Sequence, residues 1–143
     1  MTGVGNAGTA RATDTPRTFV LVHGAWHGGW CWRRVADVLM ARGNRVFTPT
    51  LTGVGDRAHL FSKDISLRTH VEDILAVVET EELSDFVLVG HSYGGFVISG
   101  VADALRERVS HYVTWMLVFH PICHQAHPSA GPTLILPRHV KRD

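Results

Sequence analysis

Five residues, Gly90-His91-Ser92-Tyr93-Gly94, constrain this chain more than any others. The apolar run Phe86-Val87-Leu88-Val89 leads into them. A helical pattern over 96–107 leads away, with Val97, Ile98, Val101, Ala102 and Leu105 as its apolar residues. The arrangement is strand, sharp turn and helix, with a serine at the apex. A serine held in a strained turn needs neighbours without a Cβ, so that strand and helix can approach closely.

The rest of the chain repeats that alternation. Phe19-Val20-Leu21-Val22 is a short run rich in β-branched residues and predicts a buried strand. Trp32, Val35, Ala36 and Leu39 carry helical spacing through 30–42, and Gly43 is a C-terminal stop. A second strand is expected over 45–48, closed by Pro49, then a loop over 50–64 punctuated by Gly53 and Gly55. Val71, Ile74, Leu75 and Val78 share one face of a helix over 66–83, with Ser66 as its N-cap. Strands alternating with helices through short connections predict an α/β fold, a mostly parallel sheet with helices on both faces. Loops at the C-terminal ends of its strands would then build the site.

At 143 residues with 45% hydrophobic and 19% charged content, the chain is one domain with room for a real core. A net charge of +1 suggests neither nucleic-acid binding nor a polybasic membrane anchor. Cys31 and Cys123 form no CxxC pair and imply no disulfide framework. Residues 1–17 are rich in Gly, Thr and Ala without an apolar core segment, and read as a disordered leader rather than a signal peptide. No apolar run approaches the roughly 20 residues that span a bilayer, so the expectation is a soluble, cytoplasmic protein.

Ser92 is the candidate nucleophile, because a G-x-S-x-G turn between strand and helix presents the hydroxyl at the top of a sheet. That hydroxyl is weak until a base takes its proton. The backbone N–H groups of Ala25, after the His23-Gly24 turn, and of Tyr93 are candidate oxyanion donors. His23 itself reads as a structural histidine of that turn, since a base is expected after the serine in chain order.

The stretch Phe19-Val20-Leu21-Val22-His23-Gly24-Ala25-Trp26-His27-Gly28-Gly29-Trp30-Cys31-Trp32 resembles the opening of the α/β-hydrolase superfamily. It is most similar to the branch that contains plant hydroxynitrile lyases, salicylate- or jasmonate-type methylesterases and their bacterial relatives. Thr48-Pro49-Thr50-Leu51-Thr52-Gly53-Val54-Gly55-Asp56-Arg57, His70-Val71-Glu72-Asp73-Ile74 and Val89-Gly90-His91-Ser92-Tyr93-Gly94-Gly95 match further segments of that family. The resemblance is dense over 18–113. It implies a cofactor-free Ser–acid–His triad, of which only Ser92 and the donors Ala25 and Tyr93 carry over to this chain. Ser92 argues against dehalogenase and epoxide hydrolase chemistry, which places Asp at this turn. Hydroxynitrile lyase and esterase chemistry share the triad, so the fold does not choose between them.

The triad acid and histidine of the family follow well after the elbow. Here the acids after Ser92 are Asp103, Glu107 and Asp143, the first two on a helix leading away toward solvent. His111, His120, His124, His127 and His139 occupy no recognisable family position. Residues 114–143 are atypical. Four of six prolines and five of ten histidines follow Arg108, without an acid before Asp143. Trp115-Met116 must be encoded TGG-ATG, and one base over the triplet GAT, Asp, appears. The frame GTN-TAC-CTG-GAT-GCN encodes the family's Val-Tyr-Leu-Asp-Ala. Without one T it encodes Val113-Thr114-Trp115-Met116-Leu117. The tail from Thr114 is therefore expected to be an out-of-frame translation, because native sequences keep a local consistency that this one lacks. His120, His124 and His127 are spaced like metal ligands, but Pro121 and Pro128 break a helix that would present them together, so no metal is expected.

Two functions follow. One is a truncated serine esterase-like hydrolase of carboxylic ester or related carbonyl substrates, turning over little without its acid and base. The other is a non-catalytic fragment or partner-binding remnant, self-associating through an exposed sheet edge.

Overall fold

The computed structural model describes residues 15–115. Its elements are β1 (Thr18–Val22), α1 (Arg33–Met40), β2 (Arg45–Phe47), α2 (Leu67–Thr80), β3 (Phe86–His91), α3 (Tyr93–Ala104) and β4 (Val109–Trp115). Short 3-10 turns occupy Gly29–Trp32 and Gly55–Leu60. The second of these lies inside the segment expected to be plain loop. The four strands form a parallel sheet in the order β2-β1-β3-β4.

This order decides where the helices lie. The chain steps from β1 to β2 in one direction, then returns past β1 to β3 in the other. Right-handed crossovers therefore put α1 on one face and α2 with α3 on the opposite face. The core agrees. Val20, Val22, Phe86 and Leu88 meet Ile74 and Val78 of α2 and Val97, Ile98 and Val101 of α3 in one cluster. The alternate strand residues Leu21 and Val87 are buried on the other side.

Ser66 caps α2 as expected, in a capping box with Thr69 whose hydroxyl accepts the Ser66 N–H at 3.2 Å. Gly43, with φ +82°, follows the end of α1. Two differences from the sequence reading have physical causes. The helix after the elbow begins at Tyr93 rather than Phe96, because Gly94 lets its first turn pack against the carbonyl oxygens at the end of β1. It ends at Ala104, and Asp103 and Glu107 are exposed, Asp103 beside Arg106. Val35, expected on the buried face of α1, is 44% exposed, and Ala36 is the buried residue of that helix.

β4 runs two residues past Val113, with Thr114 opposite Gly90 and Trp115 opposite His91. Arg17 is already tied to the sheet, since its N–H reaches Asn44 Oδ1 at 2.9 Å and its carbonyl accepts the Arg45 N–H at 2.9 Å. The leader before residue 15 and the tail after 115 lie outside the described residues, as do His120, Cys123, His124, His127, His139 and Asp143.

Candidate active site

β1 and β3 are neighbours whose following connections leave in opposite directions, so their C-terminal ends flank a switch point in the sheet. Parallel sheets place ligand-binding loops there. The His23-Gly24-Ala25 turn leaves β1 at that point, and the His91-Ser92-Tyr93 turn leaves β3 beside it.

Ser92 has φ 52° and ψ −119°, a conformation that costs a non-glycine residue on the order of 1–3 kcal/mol. The glycines around it hold the strain in place. A Cβ on Gly90 would lie 2.6 Å from the Gly94 carbonyl oxygen. A Cβ on Gly94 would lie 2.6 Å from the carbonyl oxygens of both Val22 and His23, so α3 starts hard against the end of β1. Gly24 approaches from the other side, where a Cβ would stand 3.1 Å from Ser92 Cβ. Gly95 N–H closes the turn onto the Ser92 carbonyl at 2.8 Å.

The N–H groups of Ala25 and Tyr93 donate to no acceptor among the described residues. Tyr93 is the first residue of α3, where the backbone N–H has no intrahelical partner and the helix dipole favours negative charge. No hydrogen bond among the described residues involves Ser92 Oγ.

His23 is fully buried and structural in geometry. Its Nε2 accepts the Leu51 N–H at 3.0 Å, which leaves the proton on Nδ1 to donate to the Gly24 carbonyl at 2.8 Å. Burial pushes its pKa below the ordinary 6.5 and keeps it neutral. Its two bonds join the turn after β1 to the loop after β2.

That loop is clamped from several sides. Thr50 Oγ1 accepts the Gly29 N–H at 2.9 Å and donates to Asp56 at 2.7 Å. The Thr50 hydrogen bond holds the Asp56 carboxyl below its ordinary range. Asp73 of α2 accepts both the N–H and the hydroxyl of Thr52, each at 2.7 Å. His70, 8% exposed, donates from Nε2 to the Thr52 carbonyl at 2.9 Å and accepts the Tyr93 hydroxyl at Nδ1, at 2.8 Å. Sequence reasoning placed His70 and Asp73 in a family-like helix but assigned them no role. The available signal was spacing, since His70, Ile74 and Val78 form one buried row of α2, and a buried polar group in such a row needs partners.

An open pocket of about 320 Å³ adjoins the elbow, lined by His27, Cys31, Trp32, Val35 and His91. Burial lowers the His91 pKa and raises that of Cys31. Among the described residues, no group of three or more His, Cys, Asp or Glu side chains could hold a metal ion.

A parallel sheet with a strained serine at its switch point defines a class. The family model described as "Alpha/beta hydrolase family" matches residues 19–139. This chain belongs to the α/β-hydrolase family. It is 59% identical over 91 residues to a carbendazim hydrolyzing esterase of Nocardioides sp. (strain SG-4G), covering 64% of this chain and 38% of that protein. It is 38% identical over 94 residues to Methylesterase 2 of Arabidopsis thaliana, covering 64% and 36%. An extracellular α/β-hydrolase from a Paenibacillus species superposes with a TM-score of 0.65 at 30% identity, over 71% of this chain and 41% of that one. The chain thus spans about two fifths of the length of the relatives it matches.

Proposed function

We propose that this chain carries the nucleophile portion of a serine hydrolase acting on carboxylic esters or related carbonyl compounds. The observation that carries the reading is Ser92, held at φ 52° on the switch point near two backbone N–H groups that find no acceptor among the described residues. In the proposed reaction Ser92 Oγ attacks the carbonyl carbon as its proton passes to a base. The N–H groups of Ala25 and Tyr93 stabilise the resulting oxyanion. Collapse expels the alcohol and leaves an acyl-serine, which water then hydrolyses. A relative named as a carbendazim hydrolyzing esterase and one named as a methylesterase support an ester or related carbonyl substrate. Turnover by this chain is expected to be weak in this reading, because no acid or histidine after Ser92 stands at a recognisable family position. An oxyanion hole and binding alone still leave roughly 10³–10⁴-fold over water in a triad enzyme stripped of its triad.

The test is hydrolysis of an activated ester such as p-nitrophenyl acetate by the purified chain and its Ser92→Ala variant. A signal lost with Ser92 supports the reading. An equal signal in both proteins contradicts it. The out-of-frame reading of the tail from Thr114 belongs to the same proposal. Sequencing the coding DNA from the elbow through the stop codon tests it, since one restored base should reopen Tyr-Leu-Asp-Ala.

One observation favours the second reading, a non-catalytic or partner-binding role. Val35 and Val38, one turn apart on α1, are 44% and 51% exposed. This apolar pair favours self-association, together with the outer strands of the sheet. A small-molecule substrate without nucleic acid fits the net charge of +1. No helix among the described residues is long and apolar enough to cross a membrane. Cytoplasmic placement belongs to the same proposal.

A further inference from the structure

We infer that His70 is a positioning residue of the hydrolytic site, tethering the first residue of α3 to the loop after β2 and so fixing the oxyanion donor at Tyr93. The inference rests on the reading of Ser92 as nucleophile. Three segments distant in sequence meet at this imidazole: the loop at Thr52, α2 at His70 and α3 at Tyr93. The Tyr93 O–H donates to Nδ1 at 2.8 Å, and Nε2–H donates to the Thr52 carbonyl at 2.9 Å. Both ring nitrogens are engaged, which selects the tautomer with its proton on Nε2. The two rings also meet edge to face, with centroids 5.6 Å apart and planes at 86°.

Neither anchor point is loose. Thr52 is held by two 2.7 Å bonds to Asp73, one turn further along the same helix as His70. The α2 backbone therefore fixes the Thr52 carbonyl and the His70 ring together. Tyr93 carries its side chain and its candidate oxyanion N–H on one residue, so immobilising the ring restricts the backbone of the first turn of α3. That turn follows a strained serine, and it begins with N–H groups that no intrahelical bond holds. Displacing a reacting group by about 1 Å can lower the rate on the order of 100-fold. His70 touches neither Ser92 nor the reacting atoms in this arrangement, and acts through Tyr93.

The test uses His70→Phe, His70→Asn and Tyr93→Phe, read by p-nitrophenyl acetate kinetics and by hydrogen exchange at the Gly95 amide, whose 2.8 Å bond to the Ser92 carbonyl closes the first turn of α3. His70→Phe should lower kcat about 10-fold with KM within about 2-fold, because positioning is lost while binding is kept. Exchange at the Gly95 amide should quicken about 10-fold while Val101, farther along the same helix, is unchanged. His70→Asn, which keeps an acceptor near the Nδ1 position, should recover most of both losses. Tyr93→Phe should match His70→Phe, and the double variant should be no worse than either alone. Tyr93→Phe removes a single hydroxyl and carries the test should His70→Phe fail to fold. Unchanged kcat and unchanged Gly95 exchange in the single variants would overturn the inference. So would exchange that quickens uniformly along α3, which marks general loosening. Should the wild-type chain show no Ser92-dependent hydrolysis, the nucleophile reading fails by itself. Exchange at Gly95 then decides the tether alone, a local quickening supporting it and no change refuting it.

Discussion

Two histidines with similar burial serve different bonds. His23 accepts a backbone N–H and is held neutral by its surroundings, whereas His70 joins a hydroxyl to a carbonyl. The first was legible in the sequence, because a histidine in a turn that precedes the serine is out of order for a base. The second was not, because its partner Tyr93 lies 23 residues away and only the packing of α2 on α3 brings the two together. His23 also sets a pH dependence. Its folded pKa lies below 6.5, so below that value the unfolded chain binds a proton that the native state refuses. Its contribution to stability is complete above about pH 6.5 and is lost as pH falls toward the folded pKa. Urea midpoints should therefore drop between about pH 7.5 and 5.5, and His91, shifted in the same direction, adds to the slope. A midpoint that is flat across this range would contradict the buried neutral imidazole. Ser92→Gly should stabilise the chain by about 1 kcal/mol in the same assay, because glycine accepts the backbone conformation that serine is forced into.

The elements around the elbow were easier to read than their limits. Strand, turn and helix follow from apolar runs and helical spacing, and the N-cap at Ser66 follows from its position before the Val71 row. The start of α3 did not follow, because glycines at 94 and 95 suggest a turn by propensity alone. Packing overrides propensity there, since the α3 backbone leaves no room for a Cβ at Gly90 and the end of β1 leaves none at Gly94. Gly94→Ala is expected to cost about 1–3 kcal/mol by overpacking against two carbonyl oxygens, measured by denaturant unfolding. Ser66→Ala should cost about 1 kcal/mol through loss of the capping box, with the elbow unaffected. The exposed Val35 shows the limit of spacing arguments. Periodicity marks a face as apolar but does not say what covers it.

At the scale of the molecule, the sheet order β2-β1-β3-β4 brings the turns after β1 and β3, carrying Ala25 and Ser92, to the same end of the sheet from segments 67 residues apart. The alternation of strands and helices foresaw the parallel sheet but not its order. The chain spans about two fifths of its relatives, and the apolar pair Val35 and Val38 on α1 stands exposed. Sedimentation at tens of micromolar should therefore show dimers or larger species under the partner-binding reading, while a monomer at all concentrations would count against it. The most direct test of the nucleophile assignment is mass spectrometry of the purified chain after exposure to a fluorophosphonate, followed by peptide mapping. A single phosphonyl adduct on Ser92, absent from Ser92→Ala, is the predicted result. An unmodified chain, or an adduct elsewhere that persists in Ser92→Ala, would contradict it.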